Sequence, residues 1–252
     1  HALLRDVTYE TVLLKLRRGY HAQVARWLEA NARERVGEYA GLIAEHLERA
    51  GQGEQAAGYL RQAGKKALDA GAFREALGFF RRALALLPED SLERARLLIQ
   101  TGTALMRLGD YGAARQQLEA GLAVAQQLGD EESCAAALDR LGGIALQQGD
   151  WALARAHLEG SLALARQFDD RAGMARALGN LGWLGIVQGA YPEAMACLSE
   201  SQALRQALGD RLGLARILLG LGTVLYIQGD YEEAQASLLE SLALSREVGA
   251  RP

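Results

Sequence analysis

The residues with which this chain could do covalent, metal or acid–base chemistry are few and far apart. Its four histidines stand at positions 1, 21, 46 and 157, with no His-Glu-x-x-His helix and no second ligand at helical spacing, so no metal site is expected. Cys134 and Cys197 fall in separate helical segments without metal-ligand spacing and read as buried small residues of a reducing compartment. Gly58 to Gly64 followed by Lys65 is one residue too long for a phosphate loop, and Lys66 stands where that loop needs serine or threonine. Gly220-x-Gly222 and the set Gly179, Gly182, Gly185 lie inside expected helices, whereas a phosphate cradle needs a strand-to-helix loop. Paired acids such as Glu131-Glu132 and Glu232-Glu233 fall in first helical turns, where the helix dipole favours them. The expectation is a chain that is not an enzyme, needs no cofactor and uses its side chains for recognition.

The elements that position those side chains are helices. Half of the 252 residues are apolar but only 6% are aromatic, and three prolines leave room for long uninterrupted helices. The net charge of −3 comes from 28 basic and 31 acidic residues well mixed, with no basic patch, so no direct nucleic-acid partner is expected. No apolar run approaches the ~20 residues that span a bilayer, so no membrane association is expected and the chain reads as cytoplasmic. There is no signal peptide, and an opening His1 in place of Met reads as a fragment of something larger.

Internal repetition is the strongest signal. Gly109-Asp110-Tyr111, Gly149-Asp150-Trp151, Gly189-Ala190-Tyr191 and Gly229-Asp230-Tyr231 recur at steps of 40 residues, and a second marker falls midway: Leu128-Gly129-Asp130, Phe168-Asp169-Asp170, Leu208-Gly209-Asp210, Val248-Gly249-Ala250. Glycine supplies the left-handed residue that ends a helix, and the following aspartate caps the next one; Asp230 with Glu233 has capping-box spacing. Two such turns per period leave two helices of about 18 residues each and about thirteen helices in all, with no strand. Gly102, Gly142, Gly182 and Gly222 hold one position of each first helix; Ala114, Ala154, Ala194 and Ala234 hold one of each second helix, with Leu118, Leu158, Leu198 and Leu238 behind. A mid-helix glycine costs about 1 kcal/mol relative to alanine, so four at one register imply a close approach that offsets it.

The order Leu141, Gly142, Gly149, Trp151, Ala154, Leu158, Leu162 resembles the tetratricopeptide repeat. An earlier unit matches at Gly64, Gly71, Phe73, Ala76, Phe80, Ala83, Leu84 and Pro88. Only that unit keeps the family's terminal proline, and the later ones lengthen the usual 34-residue period to 40, a form similar to the sensor solenoids of large bacterial regulators. The resemblance implies an all-α, right-handed superhelical solenoid of antiparallel helix pairs, about five repeats over residues 51–252. It also implies a concave groove lined by the first helices. Carried over in register, that groove would show Arg96, Gln100, Thr103 and Arg107, then Asp139, Arg140 and Gln147. Next come Arg176, Asn180, Trp183 and Val187, and finally Arg216, Thr223, Tyr226 and Ile227. Trp183 is either an aromatic anchor for a ligand or a filler of space left by Gly143 and Gly179.

Residues 1–50 lack the 40-residue markers. His1 to Glu10, then His21-Ala22-Gln23-Val24-Ala25 and Leu28-Glu29, resemble the stretch that joins a nucleotide-hydrolysing module to its repeats in the signal-transducing ATPases with numerous domains. The resemblance implies a helical junction after an upstream NTPase and winged-helix region. As residue roles, Tyr9, Val12, Leu13, Val24, Trp27 and Leu28 read as core positions of amphipathic helices. The expected function is a non-catalytic scaffold or sensor arm of a bacterial signalling regulator, binding a protein or peptide in the groove. A small-molecule sensor, for an inducer such as a sugar, is the alternative. At the far end, Leu238, Leu239 and Leu242 on the last helix form an apolar patch that self-association would bury.

Overall fold

The computed structural model describes residue 9, residues 11–32 and 35–247, and residue 249; the calls made on His1 to Thr8, Glu10, Val248, Ala250 and Pro252 lie outside them. Twelve α-helices and no strand are found among the described residues, against about thirteen helices expected. They are α1 (Leu14–Ala32), α2 (Val36–Ala50), α3 (Gly53–Asp69), α4 (Phe73–Leu84), α5 (Leu92–Arg107) and α6 (Tyr111–Leu128). There follow α7 (Glu131–Gln148), α8 (Trp151–Gln167), α9 (Arg171–Gln188), α10 (Tyr191–Leu208), α11 (Arg211–Gln228) and α12 (Tyr231–Glu247). The fold is an all-α repeat solenoid. Two compact units divide at Val124/Ala125, inside α6. In the first unit α1 pairs with α2, α2 packs on α3, and α3 on α4. In the second, each helix from α8 to α12 packs on the one before it, and the first helix α9 also touches the first helices α7 and α11.

The turns are built as their residues dictate. Gly109, Gly129, Gly149, Gly189, Gly209 and Gly229 all adopt positive φ, between 67° and 93°. Asp169 takes the same conformation (φ 53°), the one non-glycine to do so among the described residues. Asp110, Asp150, Asp170 and Asp210 accept from backbone N–H groups three residues on, at 2.9–3.2 Å.

Inside each pair, glycine meets leucine. A methyl group added at Gly102, Gly142, Gly182 or Gly222 would stand 2.5–2.8 Å from Cγ of Leu118, Leu158, Leu198 or Leu238, and at Gly64 it would run into the Phe80 ring. Leu118, Leu158 and Leu198 are fully buried there, as are Ala114, Ala154 and Ala194. A second tie repeats at the same period. Ser161, Ser201 and Ser241 donate to the carbonyls of Ala135, Ala175 and Ala215 at 2.9, 2.7 and 2.6 Å, fastening each second helix to its first. Cys134 is buried and Cys197 half-buried, and burial pushes both thiols up from their ordinary value.

Three expectations need correction. The 18 residues of α11 average a hydropathy of 1.2, long and apolar enough by composition to cross a membrane; 44% of the helix is buried against its neighbours. The histidines are not all isolated either. Buried His21 on α1 meets His46 on α2, Nδ1 to Nδ1 at 2.8 Å, while its Nε2 lies 2.9 Å from the Tyr9 hydroxyl. Exposed Leu13, Val24 and Trp27 are not the core positions expected; His21 and Ala25 are the buried residues of α1.

Gly142→Ala is expected to destabilise the chain by about 1–3 kcal/mol in urea denaturation, because the overpacking against Leu158 exceeds the gain in helix propensity. A second outcome concerns pH. Burial, then the charges of His46 and Arg49, hold His21 below its ordinary value against the opposing pull of Glu45. The unfolded chain therefore takes up this proton first, so stability is complete above pH 6.5 and declines as pH falls from there towards the lowered folded value. Melting temperatures between pH 8 and 5 should show that decline, and His21→Gln should flatten it.

Candidate functional site

The glycine of each first helix provides a common register. In the second unit, positions six and two before it and one, four and five after it share one face of α7, α9 and α11. Arg176, Asn180, Trp183 and Val187 stand there on α9, Arg216, Thr223, Tyr226 and Ile227 on α11, and Arg140 and Gln147 on α7. Asp139, three residues before the glycine, turns its carboxylate to side chains of the next first helix, α9. It is only 4% exposed, so it is not a ligand-facing residue as expected.

Asp139 instead orders its neighbours. Its carboxylate accepts from Arg176 Nε at 3.3 Å and from Asn180 Nδ2 at 3.1 Å, and pairs with Arg140. The carbonyl oxygen of Asn180 in turn accepts from Arg216 Nη2 at 2.9 Å. Arg176 also approaches Asp170 at 4.0 Å. One chain of charge-assisted bonds thus crosses α7, α9 and α11 and holds three guanidinium groups along a shared face. The charge distribution sharpens the point: α9 and α11 contain no acidic residue, while the second helices α8, α10 and α12 carry Glu159, Glu193, Glu200, Glu232, Glu233, Glu240 and Glu247.

Trp183 is half-buried, with its Cε2 3.6 Å from where a Cβ at Gly220 would stand. The room for it is therefore at Gly220; Gly179 faces Ile217 instead. Its indole Nε1 is shielded from solvent and lacks an acceptor among the described residues. The hydroxyl of Thr223 donates back to Leu219 O at 2.8 Å, and Tyr226, 63% exposed, packs edge-on against Tyr231 with ring centroids 5.6 Å apart. Val187, Ile227 and Gln147 are exposed.

The first unit holds the remaining candidates. Arg96 lies 3.8 Å from Glu93, Thr103 donates to Ile99 O at 2.9 Å, and Arg107 is exposed at the end of α5. Gln100, half-buried at the register position of Arg140 and Asn180, has a shielded Oε1 without a donor. At the far end Leu239 is 58% exposed, whereas Leu238 and Leu242 are half-buried, so the expected leucine patch reduces to Leu239.

The sequence reading missed the serine ties and buried Arg205. Arg205 donates to Ser201 Oγ and the Ala175 carbonyl and pairs with Asp210. The serines recur every 40 residues and could have been found by extending the alignment of repeats; Arg205 could not, because its equivalents are Ala125, Ala165 and Ser245.

Helix pairs stacked at a constant period, with their polar ordering confined to one face, define a repeat-built binding scaffold. The chain belongs to the tetratricopeptide repeat family, whose profile matches residues 93–164, 132–184 and 186–247. That fold is in general a non-catalytic interaction scaffold. An uncharacterised protein of Rhizobium meliloti (strain 1021) is 30% identical over 120 residues, 46% of this chain; the match spans only 12% of that relative. Among solved structures, a Rap protein complexed with Competence and Sporulation Factor aligns over 93% of this chain and 76% of its own, with a TM-score of 0.69 and 15% identity. BtubC from P. vanneervenii covers 96% and 94%, with a TM-score of 0.61 and 19% identity. Aspartyl phosphate phosphatase F from Bacillus subtilis covers 89% and 61%, with a TM-score of 0.65 and 16% identity. These likenesses are of fold.

Removing the carboxylate in Asp139→Ala should lower stability by about 1–3 kcal/mol, since Arg176, Arg140 and Asn180 lose a shared buried acceptor. Thermal denaturation monitored by circular dichroism checks this.

Proposed function

We propose that this chain is a non-catalytic recognition arm that binds a protein or peptide segment along the first-helix face of α7, α9 and α11. The observation that carries the reading is the Asp139-centred network. A buried carboxylate is costly to form, and here it fixes the direction of arginines that would otherwise be free to swing. Beside them Trp183 offers a flat, half-buried aromatic ring, the kind of anchor on which a bound segment packs. The absence of acids from α9 and α11 favours a partner segment rich in aspartate or glutamate. A Rap protein of this fold has been solved with Competence and Sporulation Factor bound, which supports recognition as the use of such a scaffold.

The wider setting is part of the proposal. Residues 1–50 are a junction to an upstream nucleotide-hydrolysing module, and the arm serves a bacterial, cytoplasmic signalling regulator. The support is the likeness of that stretch to the corresponding one in multidomain signalling ATPases, together with the much greater length of the Rhizobium relative. Self-association through Leu239 on α12 is a second mode of contact for the same arm.

Selection from a random 12-residue peptide library, followed by fluorescence anisotropy on the selected peptides, tests the reading. Trp183→Ala and Arg216→Ala should each weaken binding by about 1 kcal/mol or more while leaving the melting temperature nearly unchanged. If Trp183→Ala melts the chain without altering affinity, the tryptophan fills space and the face is not a recognition site.

A further inference from the structure

The first unit contains a cleft that the peptide-binding reading does not use. It lies between α1 and α3 over α2, encloses about 990 Å³, and reaches the upper end of the range typical of small-molecule sites. Its existence has a cause in the repeat register. Six residues before the packing glycine, three of the four later first helices carry an arginine (Arg96, Arg176, Arg216) and α7 carries Ala136; in α3 that position is Gly58. A Cβ placed there would meet nothing within 4 Å, so the missing side chain leaves open space on the α3 wall.

The lining is hydrophilic above an apolar floor. Val36 and Leu47 of α2 form the floor, and Gln55 and Gln62 of α3 flank Gly58. Three cations face the cleft, Arg26 from α1 and Arg61 and Lys65 from α3, against one acid, Glu29. Glu29 is engaged by the Tyr59 hydroxyl and Arg61 by Glu93 at 3.1 Å. Arg26 spends only its Nε, on the Ala22 carbonyl at 3.2 Å, and neither Arg26 nor Lys65 pairs with a carboxylate among the described residues. Two cations on opposite walls, with side-chain amides between them, suit a small anion whose body also accepts and donates hydrogen bonds.

We propose that the α1–α3 cleft is a binding site for a small polar molecule bearing a carboxylate or a phosphate group. The site is separate from the first-helix face of the second unit, and its occupancy does not depend on Trp183 or Arg216. The anion bridges Arg26 and Lys65, and the glutamines contact its polar body.

Gly58 makes the test selective. Leucine at this position fills the cleft, and because it replaces a mid-helix glycine facing open space it leaves the fold intact or steadies it. Isothermal titration calorimetry on the full chain would use citrate for the carboxylate arm and glucose 6-phosphate and inorganic phosphate for the phosphate arm. Glucose and spermidine serve as neutral and cationic controls. Saturable binding below 1 mM is expected for at least one anion and for neither control. Gly58→Leu should weaken it at least tenfold with an unchanged or raised melting temperature. Arg26→Gln combined with Lys65→Gln should do the same, and Trp183→Ala should have no effect. Anion binding insensitive to Gly58→Leu, binding of glucose as tight as that of the anions, or no binding by any of the three anions would overturn the proposal. None of these outcomes would bear on the peptide face.

Discussion

The last four helix pairs of this chain depend on a backbone-close approach that only glycine permits. Gly102, Gly142, Gly182 and Gly222 each lie under a leucine branch that a single added methyl group would strike. The approach brings the two helices near enough for serine hydroxyls of the second to reach carbonyls of the first, as Ser161, Ser201 and Ser241 do. It also fixes the rotation of the first helix about its axis. Once the glycine must face its partner, the residues at fixed offsets from it must share one face, and that common face follows from the packing.

That coupling explains the division of labour among charged residues. The second helices carry most of the acids, some tied to arginines one repeat away, such as Glu193 to Arg155 at 2.6 Å and Glu200 to Arg166 at 3.3 Å. The first helices α9 and α11 carry arginines without acids, and the carboxylate that organises them comes from the preceding repeat. Arg176 and Asn180 both lean back to Asp139, and Arg216 leans back to Asn180. Within the second unit one helix pair therefore positions side chains of the next, and electrostatic order runs from α7 through α9 to α11.

Most of the fold could be read from residue spacing. The turn glycines, the capping aspartates and the glycine–leucine pairs all repeat with the chain's own period and need no partner to be recognised. The site was less legible. Asp139 was placed on the ligand face by the register of the first helices, but its carboxylate is spent on α9, and only the three-dimensional neighbours show that it serves Arg176 and Asn180. Trp183 was set against Gly143 and Gly179, whereas the space it uses lies at Gly220, one repeat onward. His21 and His46 are separated by 25 residues and share no periodic signal, so their contact could not be found by counting. The cleft beside Gly58 was hidden for the opposite reason: its signal is an absent side chain.

The register has a consequence for how such a chain can change its length. One residue inserted within α9 upstream of Gly182 turns the helix on either side of it by about 100° relative to the other. Arg176 and Asn180 would then swing away from the face that Trp183 keeps, although composition and hydrophobicity would scarcely differ. An inserted segment of 40 residues, by contrast, returns every downstream glycine to its leucine and every serine to its carbonyl. Viable length variants are thus separated by whole periods, and the chain grows or shrinks in discrete steps while short slips are discarded.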